Sequence, residues 1–180
     1  MSVIASITRE AARENLPFLL IGGYAVLAHG FVRTTGDIDF LVRKSQAAEW
    51  QKLLERLKFT VNFSGPTFLQ FNPPPEEKLP LDLMYVSDAS FTPMFSAAKE
   101  IESDGAATKV VSLPHLFALK CHAFRSRPHR AMKDVEDLVQ LAKINRLDLN
   151  EPSLRTILLK HGGQEFYELL KRERESLRPE

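Results

Sequence analysis

Short, fully apolar runs alternate with amphipathic stretches from the N-terminus to residue 111. An apolar run that is bounded by glycine, such as residues 18–21, is typical of a buried strand. Amphipathic helices are predicted over residues 3–15 and 46–58, the second with Ser45 as its N-cap. The predicted strands are residues 18–21, 37–42, 59–63, 67–71, 81–86 and 108–111.

Only helical patterns follow residue 111. The breaks between these helices are predicted near Pro128, Pro152 and Gly162-Gly163. This change of character predicts an α/β (α+β) fold class, in which residues 1–111 form an α/β core with a mixed sheet flanked by helices. Residues 112–180 are predicted to form an all-helical C-terminal region that packs on this core.

Composition narrows the class of protein. The 24 basic and 23 acidic side chains give a net charge of +1, so no global field draws the chain onto nucleic acid. The single cysteine, Cys121, excludes an internal disulfide and fits a reducing compartment. No apolar run approaches the ~20 residues of a membrane span. The first residues also lack the pattern of a secretion signal. We therefore expect a cytoplasmic protein that does not enter a membrane.

Two aspartates stand close together on a predicted strand. Asp37 and Asp39 are two residues apart, so their side chains share one face while Ile38 and Phe40 point to the core. Carboxylates this close repel each other unless a cation lies between them, and magnesium suits such oxygen ligands. The alternative is a half-buried strand whose wet face happens to be acidic.

A glycine pair and a third aspartate strengthen the metal interpretation. Gly22-Gly23 follows a buried strand and opens a helix, which is a good place for phosphate to meet backbone amides. A plain tight turn is the alternative. Asp82 lies within a separate apolar strand, where aspartate is disfavoured. It would add a third carboxylate, unless it lies on the solvent face of an edge strand.

The segment that leads into the acidic strand carries a guanidinium and hydroxyls. Arg33 and Thr34 lie close in sequence to Asp37, where the phosphates of a nucleoside triphosphate would be held. The motifs of P-loop proteins, dinucleotide-binding folds and serine hydrolases are absent from the sequence. These three classes of protein therefore have no motif support in the sequence.

This set of motifs resembles the DNA polymerase β-like nucleotidyltransferase superfamily. The resemblance rests on Gly22-Gly23, thirteen intervening residues, Asp37-Ile38-Asp39, and Asp82 on a later strand. The stretch from Ile21 to Val42 looks most like the minimal bacterial nucleotidyltransferases, including the AbiEii-type toxins of toxin–antitoxin systems. The resemblance implies a nucleotidyltransferase-type mixed sheet and a nucleoside triphosphate substrate such as ATP. It also implies two Mg²⁺ ions on the three carboxylates, with Mn²⁺ as the second candidate ion.

A lysine interrupts the apolar stripe of the first C-terminal helix. The stripe consists of Leu113, Leu116, Phe117, Lys120 and Phe124. A buried ammonium is costly unless it is paired, so Lys120 either snorkels to water or meets a phosphate or carboxylate. The resemblance implies that Lys120 contacts the nucleotide phosphates.

Acidic residues recur on the following helix. Asp134 and Asp137 are three residues apart and therefore share one helix face. For Glu136 and Asp137 a solvated position is predicted. AbiEii-like proteins have a lysine on one helix and a Lys/Arg-Asp-x-x-Asp-Leu segment on the next, and Lys120 and residues 133–138 resemble this pattern. The resemblance implies that Asp134 assists catalysis or holds Lys120.

Basic residues cluster between these two helices. They are Arg125, Arg127, Arg130 and Lys133. The cluster is a candidate site for nucleic acid or triphosphate, although basic helix junctions are also common on ordinary surfaces.

The sequence thus predicts a metal-dependent nucleotidyltransferase that moves a nucleoside monophosphate from a triphosphate to an acceptor. The candidate acceptors are tRNA and protein, and the toxin-like resemblance adds an antitoxin protein as a candidate partner. One alternative is a non-catalytic module of a toxin–antitoxin pair that binds nucleotide or a partner. Another is an aminoglycoside nucleotidyltransferase on the same fold.

Overall fold

The computed structural model describes residues 2–126 and 131–176. The chain forms two compact units. The first comprises residues 1–25 and 33–112, and the second comprises residues 26–32 and 113–180. The predicted division into a core of residues 1–111 and a helical region of residues 112–180 stays a prediction.

A seven-stranded mixed sheet forms the centre of the first unit, in the order β3-β4-β5-β2-β1-β7-β6. The strands are β1 Phe18–Leu20, β2 Ile38–Arg43, β3 Thr60–Ser64, β4 Phe68–Asn72, β5 Leu81–Val86, β6 Lys99–Ser103 and β7 Ala106–Val110. The pairs β2–β5 and β1–β7 are parallel, and the other neighbours are antiparallel. The predicted α/β (α+β) fold class is confirmed.

Helices flank this sheet. They are α1 Val3–Arg13, α2 Gly22–Ala28, a short 3₁₀ helix Lys44–Gln46, α3 Ala47–Arg56 and α4 Asp88–Ser96. Trp50 of α3 is fully buried and meets the rings of Phe18 and Phe40 edge-on, with centroids 5.5 and 6.1 Å away. These aromatic contacts fix α3 on one face of β1 and β2, because aromatic pairs add to the free energy of simple burial.

The start of α3 differs from the prediction. Ser45 is not its N-cap, since Gln46 occupies that position and makes no side-chain capping bond. The Ser45 hydroxyl instead donates to Asp88 Oδ1 at 2.8 Å. The 3₁₀ turn moves the first α-helical residue past Ser45, so local capping preference gives way to a tertiary contact.

The strand at the sheet edge, β6, was not predicted from the sequence. Asp104 and Gly105 form the tight turn between β6 and β7, both with positive φ (48° and 70°). Two positive φ angles are typical of the turn that fits the twist of a hairpin, and Asp-Gly is a preferred pair there. The strand β6 could not be predicted from hydrophobicity, because its charged residues interrupt the apolar pattern that the other strands show.

Within the described residues, the second unit contains the end of α2 and four further α-helices. They are α5 Leu113–Ser126, α6 Ala131–Ile144, α7 Pro152–Gly162 and α8 Gln164–Ser176. Pro152 opens α7, which Glu151 caps, and Gly163 ends it with φ +86°. The breaks predicted near Pro152 and Gly162-Gly163 are confirmed, whereas Pro128 lies outside the described residues.

None of the helices in residues 2–126 and 131–176 combines the length and the apolar character that a bilayer crossing requires.

Candidate functional site

Parallel pairing of β2 and β5 brings two aspartates together. Asp39 is in register with Asp82, and each is the second residue of its strand. Ile38 and Phe40 are fully buried on the opposite face, as the alternation predicts. Asp37 lies one residue before β2 rather than on it, which corrects the predicted strand boundary by one position.

The carboxylates of Asp37, Asp39 and Asp82 form one cluster. One oxygen from each residue lies within 4.8 Å of the others, with Asp82 buried and the other two half-buried. Opposite oxygen ligands of an octahedral magnesium ion lie about 4.2 Å apart, so the three oxygens are close to a coordinating arrangement. Hard oxygen donors with net negative charge fit a divalent cation. The alternative position of Asp82 on an edge strand is wrong, because β5 lies between β4 and β2.

Gly22 brings backbone against this cluster. Its φ is +60°, and a β-carbon at this position would overlap the carboxylate of Asp39. The amide of the preceding Ile21 donates to the Asp39 carbonyl oxygen at 3.0 Å. Both the conformation and the close approach therefore require glycine, which is more than a plain tight turn would need.

Gly23 is equally confined. A β-carbon there would overlap the hydroxyl of Thr35 and would lie 3.4 Å from Nη1 of Arg33. The guanidinium of Arg33 therefore lies beside the glycine pair, where it also donates to the Thr34 carbonyl at 2.9 Å. Binding of phosphate by Gly22, Gly23 and Arg33 stays a prediction.

Thr35, the neighbour of the predicted phosphate-binding Thr34, contacts the cluster directly. The Thr35 hydroxyl lies 3.2 Å from Asp37 Oδ1, to which it donates, whereas Thr34 is exposed. Two neighbouring threonines are indistinguishable in sequence, and only the backbone path decides which one turns towards the aspartates. Thr35 thus orients one carboxylate of the cluster.

Gln70 is a further residue that the sequence did not reveal. It is in register with Asp82 across β4 and β5, and its Nε2 donates to Asp82 Oδ2 at 3.1 Å. This hydrogen bond holds one oxygen of the buried carboxylate and fixes the plane of the group. Gln70 is recognised as a site residue only from the register of the β4–β5 pair, and no local sequence pattern gives that register.

The loop before β5 adds negative charge near the glycine pair. Burial raises the pKa of Tyr24, and the nearby carboxylate of Glu77 raises it further. Tyr24 follows Gly23 directly, so the Glu77 carboxylate acts on a residue next to the glycine pair.

The helical unit holds a second charged cluster. Nζ of Lys120 lies 2.8 Å from Asp134 Oδ1 and 2.6 Å from Asp137 Oδ2. All three side chains are buried, so Lys120 does not snorkel to solvent. The solvated position predicted for Asp137 is wrong, since it is 0% exposed, while Glu136 is exposed as expected. Asp137 is buried because the ammonium of Lys120 neutralises its charge.

This cluster perturbs its neighbour Cys121. Burial raises the pKa of the Cys121 thiol to about 12, and the Asp134 carboxylate contributes to the rise. The thiol is fully buried on α5. Cys121 is therefore a packed core residue rather than a reactive one.

Half of the predicted basic cluster lies outside the described residues. Arg125 and Lys133 are exposed, whereas Arg127 and Arg130 are not described. Binding of nucleic acid or triphosphate by these residues stays a prediction.

Comparison with protein families places residues 7–179 in a match to the family described as "Nucleotidyl transferase AbiEii toxin, Type IV TA system". The chain matches no curated protein.

Solved structures of similar fold include the antibiotic-resistance factor ANT(2'')-Ia, with TM-score 0.67, 18% identity, and coverage of 96% of this chain and 95% of that one. A nucleotidyltransferase-like protein from Paracoccidioides brasiliensis has TM-score 0.62 and 16% identity, covering 97% and 88%. The lincosamide adenylyltransferase LnuA has TM-score 0.55 and 16% identity, covering 77% and 95%. At these identities the likeness shows a shared fold.

Proposed function

The chain belongs to the AbiEii nucleotidyltransferase family, and from this premise we propose that it is a metal-dependent enzyme whose active site is the carboxylate cluster of Asp37, Asp39 and Asp82. The family establishes an enzyme that transfers nucleoside monophosphates. The observation that carries the site assignment is the approach of three carboxylate oxygens to within 4.8 Å of one another.

The three aspartates would hold two Mg²⁺ ions, with Mn²⁺ as the second candidate. When bound, the ions supply positive charge that stabilises the charge developing on the phosphoryl oxygens. Asp82 is the general base for the acceptor hydroxyl. Gln70 supports this role, because its amide donates to Asp82 Oδ2 and so orients the carboxylate.

The proposed phosphate-binding residues are Gly22, Gly23, Arg33 and Thr34. The support is geometric, since both glycines lie against site side chains where a β-carbon has no room. These contacts place the glycine backbone directly against the carboxylate cluster, and Arg33 brings a guanidinium beside Gly23. The hydroxyl of the neighbouring Thr35 donates to Asp37 Oδ1 at 3.2 Å.

Lys120 and Asp134 are proposed to take part in transfer, because they match in order and residue type the lysine and the aspartate of AbiEii-like proteins. Their ion pair of 2.8 Å supports the reading that Asp134 holds Lys120. Asp137 joins them as a second carboxylate that positions the ammonium.

The proposed substrate is a nucleoside triphosphate such as ATP, and the proposed acceptor is RNA, of which tRNA is the first candidate. The family description names a type IV toxin–antitoxin system, which supports an antitoxin protein as a partner and action in the cytoplasm.

The test is a transfer assay. The purified chain is mixed with Mg²⁺ and each of the four α-labelled triphosphates, using bulk tRNA, an aminoglycoside or the chain itself as the acceptor. We expect label on tRNA with one or two triphosphates, and none after chelation with EDTA. Label on the aminoglycoside alone would replace the RNA acceptor by a small molecule. Bound triphosphate without any transfer would contradict catalysis and favour a non-catalytic module.

A further inference from the structure

The carboxylate cluster continues into a row of side chains that crosses the sheet to its edge. Asp39 on β2 pairs with Asp82 on β5. Asp82 pairs in turn with Gln70 on β4, and Gln70 pairs with Phe63 on β3. Side chains at paired positions lie on the same face of a sheet. Phe63 therefore lies on the face of the carboxylates, two strands beyond Asp82.

Phe63 is half of a stacked aromatic pair. Its ring lies on that of Phe68, with centroids 5.2 Å apart and planes inclined by 22°. Phe63 is 49% exposed, which is unusual for so large an apolar side chain on a sheet face. The pair presents a flat apolar surface beside the cluster.

The hairpin turn is shaped for these rings. A β-carbon on Gly65 would lie 3.1 Å from Cε1 of Phe63 and 3.2 Å from Cε1 of Phe68. Contacts that short would force the rings to shift, so glycine lets them close over the turn. The β3–β4 hairpin thus holds the aromatic pair in one place.

The hairpin that carries the pair has no charged side chain. Residues 59–72 contain no acidic or basic side chain. A polycationic amino sugar would be held by carboxylates, and a phosphate by lysine or arginine, and this stretch offers neither. A neutral flat ring is the chemistry that fits it.

We propose that Phe63 and Phe68 form an acceptor platform, on which an unpaired base at the end of an RNA stacks while a ribose hydroxyl of that RNA reaches Asp82. This inference rests on the proposed function, because it takes the carboxylate cluster as the transfer site. Unpaired bases stack on aromatic side chains in many RNA-binding sites. The platform lies two strands from Asp82, about 10 Å, a span within the reach of a terminal nucleotide and its neighbour.

In the proposed transfer step, the triphosphate and the acceptor lie on opposite sides of the carboxylate cluster. The hydroxyl oxygen of the acceptor forms a bond to the α-phosphorus of the triphosphate. The bond from that phosphorus to the oxygen bridging to the β-phosphate breaks, and pyrophosphate leaves. The hydroxyl proton passes to the Asp82 carboxylate. Gly22 contacts Asp39 and the platform lies beyond Asp82, so triphosphate and acceptor approach the cluster from opposite sides.

The experiment measures binding and transfer separately. The probe is a short single-stranded RNA that ends in 2-aminopurine, a fluorescent base whose emission falls on stacking. Phe63→Ala should weaken its binding about tenfold or more, the effect of one lost base–aromatic stack. Phe63→Trp should restore binding and Phe63→Leu should not. In transfer assays Phe63→Ala should raise the KM for RNA and leave kcat and the KM for the triphosphate unchanged.

Val61→Ala is the matched control. Val61 is 40% exposed on the same strand, but a register shift between Val61 and Phe63 pairs it with the buried Phe71 rather than with Gln70 of the row. It should bind the probe as the wild type does.

Equal binding by wild type and Phe63→Ala would overturn the platform. Full rescue by Phe63→Leu would also overturn it, because apolar packing rather than stacking would then explain the effect. Transfer to a peptide or a sugar that depends on Phe63, without binding of the RNA probe, would overturn the RNA occupant. Binding of the probe through Phe63 in a chain that transfers no label to any acceptor would support the platform and contradict the proposed function.

Discussion

Asp39 on β2 and Asp82 on β5 occupy paired positions on two parallel strands, although a helix and a hairpin separate them in the chain. Their pairing places a buried carboxylate beside a half-buried one. Asp37 completes the cluster from the residue before β2. The sheet topology therefore creates the cluster from aspartates that are distant in sequence.

The glycine that touches Asp39 gives the first prediction. In Gly22→Ala the new β-carbon would overlap the Asp39 carboxylate, and the backbone would hold alanine at φ +60°. Displacing a reactive group by about 1 Å is enough to lower the rate about 100-fold, and the left-handed conformation costs about 1–2 kcal/mol of stability. Transfer rates and thermal melting measure the two effects.

Gly36→Ala is the control for this substitution. A β-carbon on Gly36 meets nothing within 4 Å, so the variant should keep its rate and its melting temperature. Equal rates in Gly22→Ala and in the wild type would show that the close approach of Gly22 to Asp39 has no part in transfer.

The buried charges of the helical unit give the second prediction. Lys120→Met leaves the carboxylates of Asp134 and Asp137 without their ammonium. Breaking a buried ion pair by removing one partner costs about 3–5 kcal/mol. Urea denaturation should show this loss, while Lys133→Met at an exposed position on α6 should change stability by less than about 0.5 kcal/mol. Similar midpoints for the two variants would mean that the cluster does not stabilise the helices.

The thiol beside this cluster gives a prediction about pH. The pKa of Cys121 is raised from 9.0 to about 12 in the folded chain. Above pH 9 the unfolded chain releases the thiol proton while the folded chain keeps it, so the stability gained from the neutral thiol falls as pH rises. The wild type should lose stability relative to Cys121→Ala between pH 8 and 10, by up to about 1.4 kcal/mol per pH unit above 9.

Urea denaturation of both chains at the two pH values checks this expectation. A stability difference between wild type and Cys121→Ala that stays constant from pH 8 to 10 would contradict the burial of the thiol in its neutral form.

Local patterns in the sequence predicted much of the fold. The alternation at Ile38 and Phe40 identified the buried face of β2, and the apolar run of β5 was predicted with its observed bounds. These patterns work because side-chain direction in a strand has a period of two and each segment reports its own burial. The strand β6 was not predicted, although the Asp104-Gly105 pair that follows it is typical of a hairpin turn.

The site could be predicted only in part, because pairing across the sheet and between helices is not local. The sequence offered Asp82 as a third carboxylate, and the strand order then placed it beside Asp39. Gln70 and Asp137 were missed, since one depends on strand register and the other on which helix face meets Lys120. A charged residue is read as exposed until its partner is known.

The central claim is that the aspartate cluster carries out metal-dependent nucleotidyl transfer. The most direct measurement compares label transfer from an α-labelled triphosphate by the wild type, Asp39→Asn and Asp88→Asn in the presence of Mg²⁺. Asp88→Asn removes an exposed carboxylate elsewhere in the same unit and is the matched control. We expect transfer by the wild type and Asp88→Asn and none by Asp39→Asn, whose melting temperature should remain close to that of the wild type. Undiminished transfer by Asp39→Asn would contradict the assignment of the cluster as the active site.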